Sequence, residues 1–191
     1  ANGNARQAER EASTRRERAG AEVQALQDFL GLRRPPVRIE CFDISTLQGR
    51  EAVGAMVVFE AGVPERSSYR RYRIRGVRGQ DDFAMMREVL TRRYRRCAAR
   101  DGAAERLPDL VLVDGGRGHL SVATDVLEGL GLAGCEVAAL AKARARGGRR
   151  LAEERIFLPG RADPIVVPER SPVLRLVTRV RDEAHRFAVS Y

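Results

Sequence analysis

Two aspartates stand at the ends of apolar runs, and their setting suits metal chemistry. Asp114 follows Leu110-Val111-Leu112-Val113 and precedes Gly115-Gly116-Arg117-Gly118, so a buried strand delivers a carboxylate to a glycine-rich turn. Asp43 lies near the end of a second strand-like run, Val37-Arg38-Ile39-Glu40-Cys41-Phe42-Asp43-Ile44-Ser45. A buried charge is too costly to keep without a partner, and a metal ion is one such partner. Side by side, the two strands would bring Asp43 and Asp114 together. Clustered carboxylates suit Mg²⁺ or Mn²⁺, which take hard oxygen ligands and keep water positions open for a phosphate. Such an ion activates water and neutralises charge on a scissile phosphate. Strand alternation puts Asp43 on the face of Ile39 and Cys41 and turns Glu40 to the other, which makes Asp43 the better ligand and Glu40 a structural or supporting acid. Each acid also has a plainer reading, Asp81 and Asp82 as helix N-caps and Asp114 as the opening of a turn. Their convergence is what points to a site.

The elements that must position these residues can be read from the periodicity. Residues 5–32 are rich in helix formers, with Val23, Leu26, Phe29 and Leu30 at helical spacing, and Arg33-Arg34-Pro35-Pro36 ends that helix. The expected division is therefore an N-terminal helix and linker over 1–34 and one domain over 35–191. Strands are predicted at 37–46, 51–60 and 68–77, joined by the turns 47–50 and 61–64 into an antiparallel meander. In the third, Arg71, Arg73 and Arg75 alternate with Tyr72 and Ile74, giving a basic face that is either solvated or laid along nucleic acid. A helix over 81–100 turns Phe83, Met86, Leu90, Tyr94 and Cys97 inward and Arg87, Arg92, Arg95 and Arg96 largely outward.

The pattern then switches to strand, helix, strand over 110–113, 118–130 and 136–141, which calls for parallel pairing with a right-handed crossover. An Arg/Gly loop spans 143–150, and short strands at 155–158 and 165–167 flank Pro159-Gly160. The last helix, 172–190, shows Val173, Leu176, Val177, Val180, Ala184, Phe187 and Ala188 as one stripe. His185 falls roughly 120° from its centre, where a side chain can be held by the core yet face a cleft. The whole order describes an α/β, ribonuclease-H-like fold, a mixed five-stranded sheet of three antiparallel strands followed by parallel ones, flanked by helices. In that layout the first and fourth strands are neighbours.

Composition narrows the partner. The 191 residues hold 35 Lys+Arg against 26 Asp+Glu, a net charge of +9, and Lys142 is the sole lysine. Arginine forks bind phosphates bidentately, so an anionic polymer is the favoured partner, over a mere preference for arginine on solvated faces. Cys41, Cys97 and Cys135 are odd in number and without CxxC spacing, which supports neither a disulfide framework nor a zinc site and fits a reducing cytosol. No apolar run approaches the roughly 20 residues of a membrane span, nor is there a secretory leader, so a soluble cytoplasmic protein is expected.

Several segments, in order, resemble the UvrC family, the nuclease subunit of the bacterial nucleotide-excision-repair excinuclease. They are Ile39-Glu40-Cys41-Phe42-Asp43-Ile44-Ser45, Gln48-Gly49, Met56-Val57-Val58-Phe59, Tyr69-Arg70-Arg71-Tyr72, Asp81-Asp82-Phe83-Ala84-Met85-Met86, Val113-Asp114-Gly115-Gly116 and Arg181-Asp182-Glu183-Ala184-His185-Arg186-Phe187. The resemblance is to the family's C-terminal endonuclease domain and runs from about Val37 to Tyr191. It implies an RNase-H-like, Mg²⁺- or Mn²⁺-dependent endonuclease that cuts damaged double-stranded DNA 5′ of a lesion, after a separate GIY-YIG domain has cut on the 3′ side. It also implies UvrB as partner, with UvrA upstream, and that the GIY-YIG and tandem helix-hairpin-helix domains of the family lie outside this chain. By motif the catalytic residues are Asp43, Asp82, Asp114 and His185, with Asp43, Asp114 and His185 as metal ligands. An imidazole then replaces the usual fourth carboxylate of RNase H enzymes, as a proton shuttle or a metal ligand. Where the family reads Gly-Gly-Lys-Gly-Gln, this chain has Gly115-Gly116-Arg117-Gly118-His119. Arg117 keeps a cation for phosphate and His119 adds an imidazole that could touch metal or DNA, so Arg117, His119, Arg71 and Arg73 are the candidate DNA contacts.

Two other readings compete. One is a non-catalytic DNA-binding or protein-docking module on the same scaffold, which fold alone does not separate from a nuclease. The other takes Asp114-Gly115-Gly116 as a nucleotide-binding loop, but neither a G-x-G-x-x-G run nor a Walker lysine supports it.

Overall fold

The computed structural model describes residues 2–47, 51–77, 79–98, 106–132, 134–142 and 153–190, with side chains from residue 6 onward and excepting 46, 47 and 51. The turn expected at 47–50 beyond its first residue, the end of the helix expected at 81–100, and the Arg/Gly loop at 143–150 lie outside the described residues.

The antiparallel strands β1 (Arg38–Leu47) and β2 (Glu51–Glu60) form the longest pairing. The two-residue β3 (Val63–Pro64) and β4 (Arg70–Arg73) both add to β2. After helix α2 (Asp82–Ala98) the chain enters β5 (Leu110–Asp114), which lies parallel to β1. Helix α3 (Arg117–Gly129) then leads to β6 (Glu136–Lys142), parallel to β5. The expected five-stranded core, β4-β2-β1-β5-β6, is present, and the short β3, β7 (Glu154–Phe157) and β8 (Ile165–Val166) extend it to eight strands. The last two pair antiparallel, β7 on β6 and β8 on β7.

The third meander strand is shorter than 68–77. A single 3-10 turn takes Arg66–Ser68, and beyond the strand the N–H groups of Arg75 and Gly76 donate to the Glu88 carboxylate at 3.0 and 2.8 Å. Backbone donors satisfied by a side chain leave a ladder nothing to pair with.

The strand faces divide the helices. Helix α4 (Pro172–Val189) starts at an N-cap, Ser171, whose Oγ accepts from the Leu174 N–H at 3.0 Å, with Pro172 in the first turn. Its buried stripe, Val173, Leu176, Val177, Val180, Ala184 and Ala188, packs on β1 and β2. Helix α1 (Asn2–Leu30) backs α4, placing Val23, Leu26 and Leu30 in the core and Glu22 against Arg175 and Arg179. Helices α2 and α3 pack together, with α2 also against β1 and β2 and α3 against β5 and β6. The longest apolar strands are thus covered on both faces, as their near-continuous hydrophobic runs require.

Candidate active site

The register places the two aspartates. The last β1–β5 partners are Phe42 and Val113, so Asp43 and Asp114 stand one residue on from that pair, at neighbouring strand ends. Parallel strands lie about 4.8 Å apart, which sets the two carboxylates close. Beyond Asp114 the chain leaves the sheet at Gly115, whose φ of +145° suits glycine and whose N–H still donates to the Leu140 carbonyl at 2.9 Å.

From α4, His185 reaches across the sheet end with Nδ1 3.4 Å from Asp43 Oδ2, while its ring stays largely in solvent. The helix-edge position read from the stripe is where it sits. Asp43 is buried, and apart from the loose 3.4 Å approach of His185 its Oδ2 has no hydrogen-bond donor among the described residues. Burial raises its pKa against the smaller opposing pull of His185. Asp114 is raised to about 6, first by burial and then by the neighbouring Asp43 charge, with Arg181 and His185 pulling the other way. Both acids resist ionisation because each is desolvated and, for Asp114, faces a like charge. Beneath them the buried Cys41 is held as a thiol, by burial first and then by Asp114 and Asp43.

Asp82 comes from another direction. Asp81 is the N-cap of α2, its Oδ1 accepting from the Ala84 N–H at 2.9 Å, which leaves the Asp82 carboxylate exposed in the first turn. It meets the site through His119, whose imidazole lies in the field of both Asp82 and Asp114; burial is the larger effect on that ring and lowers its pKa. The register and the His185 approach bring Asp43, Asp114 and His185 to one end of the sheet, whereas Asp82 stays on the first turn of α2 and reaches them only as a charge felt by His119. Among the described residues no three His, Cys, Asp or Glu side chains form a ready-made metal cage.

The candidate DNA contacts separate. Arg71 Nη2 donates to the carbonyls of Phe187 and Ser190 at 2.8 and 3.0 Å, and its guanidinium lies 4.0 Å from the Phe187 ring centre. It closes the C-terminus of α4, where a cation satisfies free carbonyls. Arg73 is exposed, and its carbonyl takes an Arg92 N–H at 2.7 Å. Arg117, exposed at the start of α3, donates to the Ala162 carbonyl.

One side chain departs from the expected pattern, and two arginines to which the sequence assigns no direction turn inward. Arg93 points inward and pairs with Glu40. Phe83, expected inward, is exposed. Arg181, one turn before His185, is buried, contacts the buried Glu154 of β7 and donates to Asp182 at 2.9 Å. A cation among the apolar positions of a stripe is itself a signal of a buried acid partner, and Arg181 carried that signal between Val177 and Ala184.

A family model described as the UvrC RNAse H endonuclease domain matches residues 27–189. The chain belongs to this family. The UvrABC system protein C of Acidobacterium capsulatum is 52% identical over 169 residues, 88% of this chain and 24% of that protein. That of Dehalococcoides mccartyi is 49% identical over 168 residues, 87% of this chain and 26% of the relative. That of Geotalea daltonii is 46% identical over 193 residues, 98% and 30% respectively. The chain thus spans only a quarter to a third of the length of these UvrC relatives. A crystal structure of Ciona intestinalis endonuclease V with a 24mer DNA aligns at a TM-score of 0.43 and 13% identity, covering 95% of this chain and 98% of that one, too distant to bear on the site.

Proposed function

We propose that this UvrC-family domain is a divalent-metal-dependent endodeoxyribonuclease that hydrolyses the phosphodiester bond 5′ of a lesion in bacterial nucleotide excision repair. The observation that carries the reading is Asp43: a buried carboxylate oxygen with no donor among the described residues but the loose approach of His185, beside a second acid that its charge disfavours. Such a pair is costly alone and is relieved by a cation between the oxygens. Asp43 and Asp114, with His185 at hand, would hold Mg²⁺ or Mn²⁺, both of which take carboxylate oxygens. The bound ion would lower the pKa of water and stabilise charge on the phosphate.

The chain's own groups supply the rest. Asp43 and Asp114 would hold the ion at the two strand ends, leaving the solvent side of the site to water and the phosphate. With Nδ1 turned to Asp43, His185 keeps Nε2 free to take or return a proton. Asp82 extends the acidic rim from α2, and Arg117 and Arg73 offer exposed cations to the DNA backbone. The substrate is damaged double-stranded DNA, the partner is UvrB, with UvrA acting upstream, and the setting is cytoplasmic. Among the described residues no helix is long and apolar enough to cross a membrane.

The rival, a non-catalytic DNA-binding or docking module, is favoured by one observation, the absence of three converged metal donors among the described residues. Nicking of lesion-bearing duplex by this chain with Mg²⁺ or Mn²⁺, set beside Mn²⁺ binding by calorimetry, separates the two. Nicking and Mn²⁺ binding that both disappear in Asp43→Asn support the enzyme. DNA binding with neither supports the module.

A further inference from the structure

The first turn of α2 carries a feature that the carboxylate chemistry leaves unused. Phe83 is 49% exposed and is the one exposed Phe or Tyr ring among the described residues. Its placement is built by the glycine-rich loop after Asp114. The ring lies across the start of α3, where a Cβ on Gly118 would come within 2.6 Å of Phe83 Cε1. Its centre is 4.8 Å from that of the His119 ring, the two planes tilted by 49°. His119 in turn folds back over Gly115, where a Cβ would meet its Nδ1 at 2.3 Å. Two glycines thus vacate the space that seats two rings.

The surroundings say what such a surface takes. Phe83 follows Asp82 directly, and His119 lies in the field of Asp82 and Asp114, so the pair borders the carboxylates. Arg117 is exposed on the same turn of α3. Among the described residues the other large exposed apolar side chains, Val37, Val166 and Val189, lie on or beside β1, β8 and α4 rather than on α2 or α3, the two elements that seat the ring, whereas a protein-docking surface calls for a contiguous apolar patch. A flat π face bordered by a phosphate-binding centre and cations suits a nucleobase.

We propose that Phe83 and His119 form a stacking platform for one base of the strand being cut, next to the scissile phosphate. The inference rests on the nuclease reading and deepens it. Stacking accepts any base, since each has a π face, so the platform fixes the strand without imposing a sequence. A base already loosened from its neighbours by nearby damage reaches the platform at least cost.

The test places 2-aminopurine at successive positions around the incision in a lesion-bearing duplex, titrated with the full chain in the absence of divalent ions. Wild-type protein should quench the fluorescence at one position beside the cut. Phe83→Ala and Phe83→Leu should both lose that quench and bind about 5- to 150-fold more weakly, the range for one stacked base, while Phe83→Trp retains both. Leucine keeps apolar packing on Gly118 but has no π face. An abasic site at the same position should erase the difference between wild type and Phe83→Ala. Equal quenching in wild type and Phe83→Leu, or an affinity loss that persists on the abasic duplex, overturns the platform and leaves the nuclease reading standing. No DNA binding by the wild type overturns both.

Discussion

Glu40 and Asp43 stand three residues apart on β1, and the protein treats them in opposite ways. Glu40 is fully buried, yet both carboxylate oxygens are occupied. Arg93 donates to them at 2.7 and 3.0 Å, Arg38 at 3.2 Å and the Tyr94 hydroxyl at 3.0 Å. Asp43 points to the other face and keeps an oxygen without a donor, 3.4 Å from a solvent-exposed histidine. One acid is finished by the fold and locks β1 to α2. The other is left incomplete, and its missing partner is what a ligand must bring. Buried polar groups in native proteins are generally satisfied; of the two buried acids without a hydrogen bond among the described residues, Glu154 is paired with the Arg181 guanidinium, whereas Asp43 faces only an exposed imidazole, which marks it as the functional acid.

The sharpest way to break this comparison is to remove each acid's charge. Asp43→Asn should abolish nicking of lesion-bearing duplex while the domain melts at or above the wild-type temperature, because the amide removes a desolvated charge and a metal ligand together. Normal nicking in this variant would strip Asp43 of its role. Glu40→Ala should do the reverse. It takes the carboxylate from Arg93, itself only 2% exposed, leaving that charge to neutral acceptors such as the Arg106 carbonyl, and should cost about 3–5 kcal/mol of stability in a denaturant titration. A loss under about 1 kcal/mol would show that Arg93 finds another partner.

The same contrast explains how much the sequence disclosed. Period-two alternation alone separated Asp43 from Glu40, and strand-end position alone joined Asp43 to Asp114. The stripe of α4 placed His185 at its edge because that helix is strongly amphipathic. Polar partners inside the core were hidden, since an arginine on a helix shows no direction until its acid is known, as with Arg93 and Arg181. Phe83 failed for the opposite reason. Helical spacing turns an aromatic toward the core, and only the nearness of Gly118, from an element 35 residues on, offers it a surface seat. The 3-10 turn and the Glu88 carboxylate shortened β4 through contacts that no local pattern records.

The two imidazoles refine the comparison on the incomplete side. His185 touches Asp43, whereas His119 is half-buried against Phe83. His185→Ala should slow nicking at least about 10²-fold, as loss of an acid–base group does. His119→Gln should be much milder than that in turnover at saturating DNA, its cost falling on affinity through the ring it removes from beside Phe83. A severe loss in His119→Gln with near-normal His185→Ala would exchange their roles.

The smallest effect concerns Asp114 without metal, and its sign follows from the raised pKa of about 6 against an ordinary value of 3.8. Between these pH values the folded domain holds a proton that the unfolded chain has released, so stability falls as pH rises through the window. Below about 4 both states are protonated there and the penalty is absent; above about 6 it is complete. Asp114→Asn escapes it and should be more stable than wild type by about 2 kcal/mol near pH 7.5, after allowance for the carboxylate's partial solvation. That advantage should shrink toward nothing as pH approaches 4. Added Mn²⁺ should raise the melting temperature of the wild type and close the gap from the other side, because ligand binding to the folded state relieves the same repulsion. A variant melting below wild type at pH 7.5, or a gap that ignores both pH and Mn²⁺, would mean that Asp114 is completed by the fold in the manner of Glu40.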